Sequence, residues 1–380
     1  MRIMILGADG YLGWPTSVEL ALKNHNLLLI DNFIKRKLIK KYNRKVLVNT
    51  LRADKQLTKL KKYNKKIEFS NIDCTNYDSL SSKFKNFKPD AVIHFAEMPS
   101  APLSMLGDNE GWMTLKNNLQ STYNLISIIK KYNANCHIIK LGTMGEYGTP
   151  NIDIEEGWLN ISHKKRTHKF LYPRQASSLY HTSKIMDTDL LWFYVRMSNL
   201  RVTDLMQGPV YGVNSSKIMK DACLQPLFTY DDIFGTVLNR FIVQGITNNP
   251  LTIYGSGSQI RGYINIKDTI KCIMLSLKNP PKAGNLEIYN QFTEQFSINE
   301  LANRVITALS KIGLDTKICK IKNPRIEKEK HYYNAKNSKL KKLGLKPTLL
   351  TENSIIEIAN YVKKYKKNID KSLFQPRIKW

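Results

Sequence analysis

A tyrosine and a lysine in the middle of the chain have the types and spacing of a proton-transfer pair. Residues 180–184 read YHTSK, a Y-x-x-x-K. On a helix, residues four apart share a face, so we expect the Lys184 ammonium beside the Tyr180 phenol, where it lowers the phenol pKa. Such a tyrosine can act as a general base towards a hydroxyl group. The pattern alone is a common accident in a lysine-rich chain, but Thr143, after an apolar strand-like run, is expected at the same sheet edge.

A glycine-rich segment near the start has the spacing of a dinucleotide-binding turn. Residues 7–13 read GADGYLG, between a strand-like run and a helix-like segment. Glycines there permit positive φ, close approach of the backbone to a pyrophosphate and tight packing of helix on strand, and the helix N-terminus faces the phosphates. A plain tight turn is the alternative. The expected cofactor-binding residues of this loop are Gly7, Gly10, Tyr11 and Gly13.

An acidic residue ends the second strand-like run and indicates which dinucleotide binds. Asp31 at this place is expected to bond the adenosine ribose diol and to repel a 2′-phosphate, which favours NAD over NADP. A solvated turn residue is the alternative, and the neighbouring Asn32 and Arg36 leave NADP open. Asp73 and Cys74 follow the third run and are expected to flank the adenine.

The elements that must position these residues are short apolar runs alternating with amphipathic segments. The predicted strands are Ile3–Leu6, Leu27–Ile30, Ile67–Phe69, Ala91–Phe95, His137–Leu141 and Arg201–Asp204. The predicted helices include Thr16–Lys23, Leu80–Phe87, Asn118–Tyr132, Asp232–Thr247, Asp268–Leu277, Ile298–Ile312, Asn334–Leu340 and Asn353–Tyr365, with Asp268 and the pair Ser297 and Glu300 as caps. This order predicts an α/β fold, a Rossmann-type doubly wound parallel sheet with a smaller C-terminal α/β lobe.

We therefore expect two domains. Residues 1–205 form an NAD-binding domain that carries the tyrosine and lysine, and residues 206–380 form mainly a substrate lobe. Segments at about 233–250 and 263–280 are expected to return to the first domain.

The composition is that of a folded but strongly basic chain. Of 380 residues, 59 are Lys or Arg and 31 are Asp or Glu, a net charge of +28, which invites nucleic acid, an acidic membrane surface or anionic small molecules. Residues 35–66 and 363–380 carry 19 of these charges and none of the candidate catalytic residues, so they are either solvated surface or a field that steers anions.

The lengths of the apolar runs and the spacing of the cysteines indicate the cellular compartment of the protein. No apolar run approaches the roughly 20 residues of a membrane span, and the first strand begins at residue 2, so we expect neither membrane insertion nor a targeting peptide. Five scattered cysteines without a CxxC predict reduced thiols in the cytoplasm, or in the plastid stroma if the gene is organellar, and no metal site.

The order of glycine loop, Thr143, Tyr180 and Lys184 resembles the extended branch of the short-chain dehydrogenase/reductase superfamily, which modifies sugar nucleotides. Longer segments resemble one family of that branch, the UDP-sulfoquinovose synthases, along essentially the whole chain. These segments are LGTMGEYGTPNIDIEEG at 141–157, YPRQASSLYHTSK at 172–184, QIRGYINIKD at 259–268, YNQFTEQFSINEL at 289–301 and NPRIEKEKHYYNA at 323–335.

The resemblance implies a reaction of UDP-glucose with sulfite that uses NAD transiently. C4 of the glucose is oxidised, water is lost across C5–C6, sulfite adds to C6, and C4 is reduced again. Tyr180 would take the O4 proton, Thr143 would bond the same oxygen, and Lys184 would hold the nicotinamide ribose. The elimination needs a further acid or base, for which His181 and Glu146 are the candidates; a packed histidine and a structural glutamate are the alternatives.

Two departures from related patterns bear on this reading. Sugar-nucleotide 4,6-dehydratases carry Thr-Asp-Glu where this chain has Thr143, Met144 and Gly145, so the usual elimination acids are missing here, and a 4-epimerase, which needs no elimination, is the main rival. The plant-type synthase pattern has an arginine where this chain has Pro99, which puts the binding of sulfite in doubt.

The resemblance also assigns the nucleotide-sugar contacts. Arg261 and Arg325 would bind the pyrophosphate, for which arginine forks are suited. Gln207, Arg240 and Tyr254 would line the sugar and uridine. Asn118, at the predicted start of a helix, would touch the nicotinamide ribose or cap that helix.

Partners follow from the same analogy. A homodimer formed through a helix pair of the NAD-binding domain is expected, and a sulfite-donating protein is left unidentified. A remote alternative is an RNA-binding protein on the same fold, which the net charge would suit. We expect no nucleic-acid partner, because the cofactor and catalytic residues are retained and RNP-like aromatic motifs are missing.

Overall fold

The computed structural model describes residues 1–213, 221, 224–325, 332–376 and 379, and all structural statements below concern these residues. Cys223, residues 326–331 of the NPRIEKEKHYYNA segment, and residues 377, 378 and 380 of the basic C-terminal stretch lie outside them. Within the described residues, no helix combines the length and the apolar character needed to cross a bilayer.

A seven-stranded sheet, parallel throughout, forms the centre of the molecule. In spatial order the strands are β12, β8, β5, β4, β1, β2 and β3. Their bounds are Arg2–Leu6 (β1), Asn26–Ile30 (β2), Ile67–Ser70 (β3), Ala91–His94 (β4), His137–Thr143 (β5), Arg201–Gln207 (β8) and Asn285–Gln291 (β12). The predicted α/β fold with a parallel Rossmann-type sheet is confirmed, and β12 is a seventh strand that the sequence analysis missed.

Twelve helices accompany the sheet in the described residues. Their bounds are Gly13–Leu22 (α1), Ile34–Lys41 (α2), Ala53–Leu60 (α3), Tyr77–Phe87 (α4), Ala101–Ser104 (α5), Asp108–Tyr132 (α6), Leu179–Ser198 (α7), Val237–Ile246 (α8), Ile266–Lys278 (α9), Ile298–Ser310 (α10), Ser338–Lys342 (α11) and Glu352–Lys364 (α12). The remaining strands are Trp158–His163 (β6), Arg166–Leu171 (β7), Val210–Tyr211 (β9), Leu251–Tyr254 (β10), Ile260–Asn265 (β11), Glu294–Ser297 (β13) and Ile318–Ile321 (β14).

The continuous apolar strands are explained by burial on both faces of the sheet. In β1, Ile3 and Ile5 pack into one apolar core with residues of α1 and α9, whereas Met4 and Leu6 pack into a second core with residues of α4 and α6. Successive residues of a strand point to opposite faces, so a strand covered on both sides is apolar at most of its positions. This two-sided cover leaves the carboxyl ends of the strands as the accessible edge.

A third apolar core holds the C-terminal lobe together. It contains Leu238, Phe241 and Ile242 of α8 together with residues of α10 and α12. Helix α8 packs in this core, whereas α9, within the segment 263–280, packs against the sheet. The division after residue 205 and the return of residues 233–250 and 263–280 to the NAD-binding domain stay predictions.

Several helix starts differ from the prediction for local reasons. Helix α8 begins at Val237, because residues 231–234 form a turn in which Asp231 accepts hydrogen bonds from the amides of Ile233 and Phe234. Asn265, not Asp268, caps α9. The capping pair of Ser297 and Glu300 on α10 is confirmed.

Two further helices begin at a different residue from the one predicted, and one hairpin was missed. Helix α6 begins at Asp108, ten residues before the predicted start. Helix α11 begins at Ser338, since Ala335 instead forms a β-bridge with Ile154. The antiparallel hairpin of β6 and β7 was not predicted.

Candidate active site

A cavity of about 790 Å³ lies at the carboxyl edge of the sheet, bounded on its other side by the lobe. Its wall contains nearly all of the site residues expected from the sequence. They are Gly7, Gly10, Tyr11, Gly13, Asp31, Asn32, Asp73, Cys74, Thr143, Tyr180, His181, Lys184, Gln207, Arg240, Tyr254, Arg261 and Arg325. Glu146 and Asn118 are the two expected residues that do not line it.

The glycine loop fits a dinucleotide because its glycines meet two different demands. Gly7 has a φ of +82°, and a Cβ there would lie 2.6 Å from the carbonyl carbon of Phe95; a Cβ on Gly13 would lie 2.1 Å from the Gly7 carbonyl oxygen. These two glycines let strand, loop and helix α1 pack closely. At Gly10 the nearest atom would be 3.4 Å away, so the absent side chain leaves backbone open to the cavity. This is where a pyrophosphate can approach the loop.

Asp31 is held in the wall by the loop itself. Its carboxylate accepts the amide of Asp9 at 2.8 Å and that of Phe33 at 2.6 Å, and burial raises the pKa of Asp31 to about 6. Arg36, which had left NADP open, is turned away. Its guanidinium bonds Asp9 and the carbonyls of Thr50 and Leu51, each at 2.8 Å, and it does not line the cavity. The geometry therefore fits NAD.

Tyr180, Lys184 and Thr143 meet where α7 starts beside the end of β5. The Tyr180 hydroxyl is hydrogen-bonded to the Thr143 side chain. The expected effect of Lys184 on the phenol is corrected: burial raises the pKa of Tyr180, and the charges of Glu146 and Asp187 add to this. The Lys184 ammonium pairs with Glu97 instead, while burial lowers the pKa of Lys184 to about 8.

His181 occupies the space that a side chain at position 145 would fill. A Cβ on Gly145 would lie 2.3 Å from Nε2 of His181, and Nδ1 of the ring is 2.9 Å from the Ser177 hydroxyl. Burial, together with the positive charges of Arg325 and Arg261, lowers the pKa of His181 to about 3. The ring is thus neutral at physiological pH and stands in the cavity beside Gly145.

Glu146, one of the two expected acid/base candidates, is fully buried and does not line the cavity. Its side chain accepts the amide of Thr143 at 3.2 Å and the hydroxyl of Thr188 at 3.3 Å, and it lies 3.5 Å from Nζ of Lys140. It closes a capping box with Thr143 on the short 3₁₀ turn after β5. Burial raises the pKa of Glu146. These contacts fit the structural alternative, in which Glu146 holds Thr143 in place.

Lys140 is a wholly buried lysine in β5 that sequence reasoning missed. Its ammonium donates to the Thr188 hydroxyl at 2.7 Å, to the Lys184 carbonyl at 3.1 Å and to Asp204 of β8 at 3.2 Å. These bonds fasten α7 to two strands directly beneath Tyr180 and Lys184. The only signal in the sequence was a lysine inside the otherwise apolar run of residues 138–141.

Asn118 has a different role from the one expected. It lies in the middle of α6, fully buried, so neither the cap nor the ribose contact applies. Its side chain accepts the amide of Met98 at 2.7 Å and donates to the Ser183 hydroxyl at 2.9 Å, which joins three elements around the site. The neighbouring Asn117 lines the cavity.

The lobe contributes the cationic side of the cavity. Arg261 lies on β11 and Arg325 follows β14. Arg240 of α8 donates to the Tyr254 hydroxyl at 3.0 Å, with its guanidinium carbon 4.7 Å from the centre of that ring. Gln207 donates to Gln291 at 3.0 Å. Three arginines and a tyrosine on one wall fit an anionic ligand that also carries a ring.

Comparison with known proteins agrees with this geometry. The profile of the NAD dependent epimerase/dehydratase family matches residues 3–290. UDP-sulfoquinovose synthase from spinach, a chloroplastic protein, is 42% identical over 100% of this chain and 79% of its own length; that from Sulfolobus acidocaldarius is 37% identical over 100% and 98%. The chain belongs to the UDP-sulfoquinovose synthase family. As a member of this family it is an NAD-dependent enzyme.

Solved structures share the fold at low identity. UDP-glucose 4-epimerase from Thermotoga maritima, determined with UDP-glucose, has a TM-score of 0.71 at 18% identity and covers 96% of this chain and 99% of its own. UDP-glucuronic acid 4-epimerase from Bacillus cereus, determined with UDP-glucuronic acid and NAD, has a TM-score of 0.70 at 23% identity and the same coverage. The UDP-sulfoquinovose synthase family thus shares its fold with epimerases.

Replacing Lys140 by methionine tests whether its bonds support this site. The variant removes the Lys140 cation from beside the buried carboxylates of Asp204 and Glu146, so we expect the free energy of unfolding at pH 7.5 to fall by about 3–5 kcal/mol. Lys271→Met is the control, since Lys271 pairs with Asp268 but is 44% exposed; it should cost less than about 1 kcal/mol. Denaturant titration followed by circular dichroism measures both.

The deficit of Lys140→Met should depend on pH in a defined direction. Burial raises the pKa of Glu146 and of Asp187 in the folded chain above their values in the unfolded chain. Protonation of these two carboxyls therefore stabilises the folded state. This stabilisation is fully present below the unfolded pKa and is lost as the pH rises through the folded pKa. Removing the cation strengthens this dependence. The deficit should therefore shrink as pH falls from 7.5 to 5, and a deficit that grows would contradict the assignment.

Proposed function

We propose that this chain is a UDP-sulfoquinovose synthase, which converts UDP-glucose and sulfite into UDP-sulfoquinovose by way of a C4 ketone. The full-length identity to two such synthases supports it. The observation that carries it against the epimerase rival is the His181 imidazole standing over Gly145 in the cavity. An elimination across C5–C6 needs a proton-transfer group beyond Tyr180, whereas an epimerase does not.

Three residues of the cavity wall have separate roles in the first step, the oxidation at C4. Bound NAD supplies the hydride acceptor for C4. Tyr180 takes the O4 proton, and the Thr143 hydroxyl bonds the same oxygen and keeps it aligned with the phenol. Because burial raises the pKa of Tyr180, the phenolate needs the Lys184 ammonium close by when the proton moves.

His181 is made ready for the elimination by the nucleotide. In the free chain, the charges of Arg261 and Arg325 help to keep the imidazole neutral. A bound diphosphate offsets these charges, so the pKa of His181 rises and the ring becomes a better base. The C4 ketone acidifies the C5 proton, which Nε2 of His181 can then accept. Proton transfer is thereby coupled to substrate binding.

The proposed substrates are anions, and the cavity supplies positive charge for them. Lys35 of α2 lines the wall along with Arg240, Arg261 and Arg325. Pro99 also lies in the wall and carries no charge. Some cations of the basic stretch 35–66 pair with carboxylates of the same chain. Nη2 of the buried Arg44 lies 2.9 Å from Asp232, and Nζ of the partly exposed Lys59 lies 3.1 Å from Asp221. This supports small anions as partners and gives no reason to add nucleic acid.

We also propose that the chain forms a homodimer through α6 and α7, which pack against each other. Their outer face exposes large apolar side chains. These are Trp112, Tyr123, Met186, Phe193 and Met197, with exposed fractions of 43–67%. Adjacent helices with such a face bury it when two copies meet.

The compartment is proposed from the thiols and from one relative. Cys74, Cys136 and Cys272 are buried and unpaired, which is the state of thiols in a reducing compartment. The spinach relative is named chloroplastic. These observations support the cytoplasm or the plastid stroma.

The function is tested by incubating the purified chain with UDP-glucose and sulfite and following the products by mass spectrometry. A sulfonated sugar nucleotide should form, and none should form with Tyr180→Phe, although that variant should bind UDP-glucose within about threefold of the wild type. A UDP-galactose product without any sulfonated nucleotide would exclude the synthase in favour of the epimerase.

Gly145→Ala tests the placement of His181. The added methyl group must displace the imidazole, so the rate of product formation should fall about 10- to 100-fold while binding of UDP-glucose is retained. Gly107→Ala is the control, because its Cβ would meet only a carboxylate oxygen of Glu110 at 3.4 Å. An unchanged rate in Gly145→Ala would show that His181 is not required in this position.

The dimer is tested by light scattering on a sizing column. The wild-type chain of 43.8 kDa should elute at twice that mass, and the double variant Phe193→Glu, Met197→Glu should elute as a monomer, because charge replaces the buried apolar contacts. The control Tyr63→Glu, Leu349→Glu changes two equally exposed apolar residues elsewhere and should stay dimeric. A monomeric wild type refutes the proposal.

A further inference from the structure

Glu97 is a carboxylate in the cavity wall to which the sequence analysis gave no role. It follows strand β4, and only 6% of its side-chain surface is exposed. Oε2 pairs with the ammonium of Lys184. Oε1 lies 3.5 Å from Nε2 of His94 but receives no hydrogen bond from any described residue. One oxygen of this carboxylate is therefore paired, and the other is buried without a hydrogen-bond donor among the described residues.

His94 does not satisfy Oε1 of Glu97. Burial, with the charges of Lys184 and Lys140, lowers the pKa of His94 to about 3, so the ring carries no positive charge at neutral pH. Its Nε2 is hydrogen-bonded to the Thr122 hydroxyl at 3.2 Å. A buried carboxylate oxygen without a donor is costly, and such an oxygen in a cavity wall points to a donor on the ligand.

The chemistry of Oε1 of Glu97 selects the ligand group. Oε1 accepts hydrogen bonds, and the ammonium of Lys184 beside it donates them. A vicinal diol matches this pair, because each hydroxyl can donate to the carboxylate and accept from the ammonium. Asp31 offers the same kind of acceptor to the adenosine ribose at the other end of the cofactor site, where Arg36 is turned away.

We propose that Glu97 binds the second ribose of NAD, the one that carries the nicotinamide, through Oε1, while Oε2 holds the ammonium of Lys184 in reach of the same ribose. Glu97 is thus a cofactor-binding residue and a positioning residue for Lys184. The inference rests on NAD as the cofactor and is independent of the sulfite chemistry.

Several groups act on the protonation of Lys184. Burial lowers its pKa to about 8, and the carboxylates of Asp187 on α7 and Asp204 on β8 raise it. Tyr180 lies one turn away on α7, and Lys140 contacts the Lys184 carbonyl. Glu97 faces the ammonium from the loop after β4. Removing its charge should therefore lower the pKa of Lys184 further.

The test compares the binding of ADP and of ADP-ribose by calorimetry. Both contain the adenosine ribose, but only ADP-ribose contains the second ribose. Glu97→Gln should weaken the binding of ADP-ribose about tenfold and change that of ADP less than twofold, since only the second ribose loses its acceptor. Glu110→Gln is the matched control: Glu110 pairs with Lys41 outside the cavity, and both affinities should be unchanged.

Three results of these tests would contradict the role proposed for Glu97. Equal losses for ADP and ADP-ribose would show that Glu97 does not act on the second ribose, and no loss for ADP-ribose would equally remove Glu97 from that site; either result overturns the proposal. In a pH series of turnover, the alkaline limb of Glu97→Gln should move down by roughly one pH unit; an unmoved limb would refute the link to Lys184. Failure to form a sulfonated product leaves the two calorimetric results unaffected, because neither UDP-glucose nor sulfite is present.

Discussion

The geometry of the site depends on the hydrogen bonds and the ion pair that the buried Lys140 ammonium makes. The ammonium stands in β5 with no exposure and bonds a hydroxyl, a backbone carbonyl and a carboxylate that come from α7 and β8. A buried charge is tolerated only when it is paired and hydrogen-bonded, so these elements are held in one arrangement. Helix α7 carries Tyr180, His181 and Lys184, and its position therefore decides where all three side chains enter the cavity.

Close backbone contacts shape the cavity around that helix. Gly7 allows the loop to pack closely against Phe95 at the end of β4, and Gly13 allows the helix start to pack against Gly7. At Gly145 the imidazole of His181 occupies the space that a side chain would fill. A larger residue at any of the three would meet another atom within 2.6 Å. Because these glycines carry no side chain, the same cavity can present backbone to a pyrophosphate and an imidazole to a sugar.

The net positive charge of the chain does not show where its cations lie or how many are paired. Cations of the basic stretch are paired with carboxylates distant in sequence, such as Arg36 with Asp9 and Arg44 with Asp232. At the centre, carboxylates surround Lys140 and Lys184, and arginines of the lobe face them across the cavity. An anionic nucleotide sugar thus meets cations from one wall, while proton transfer takes place beside a buried network of both signs.

The sequence by itself determined six of the seven strands of the sheet, the glycine loop, Asp31 and the tyrosine–lysine pair, because apolar runs and short motifs depend on residues close in the chain. It could not place β12 or α8, whose partners come from distant segments. It also could not decide which way a side chain at a strand end points. Tertiary structure alone turned Glu146 and Arg36 away from the cavity and brought Glu97 to Lys184, because each position depends on bonds between elements far apart in sequence.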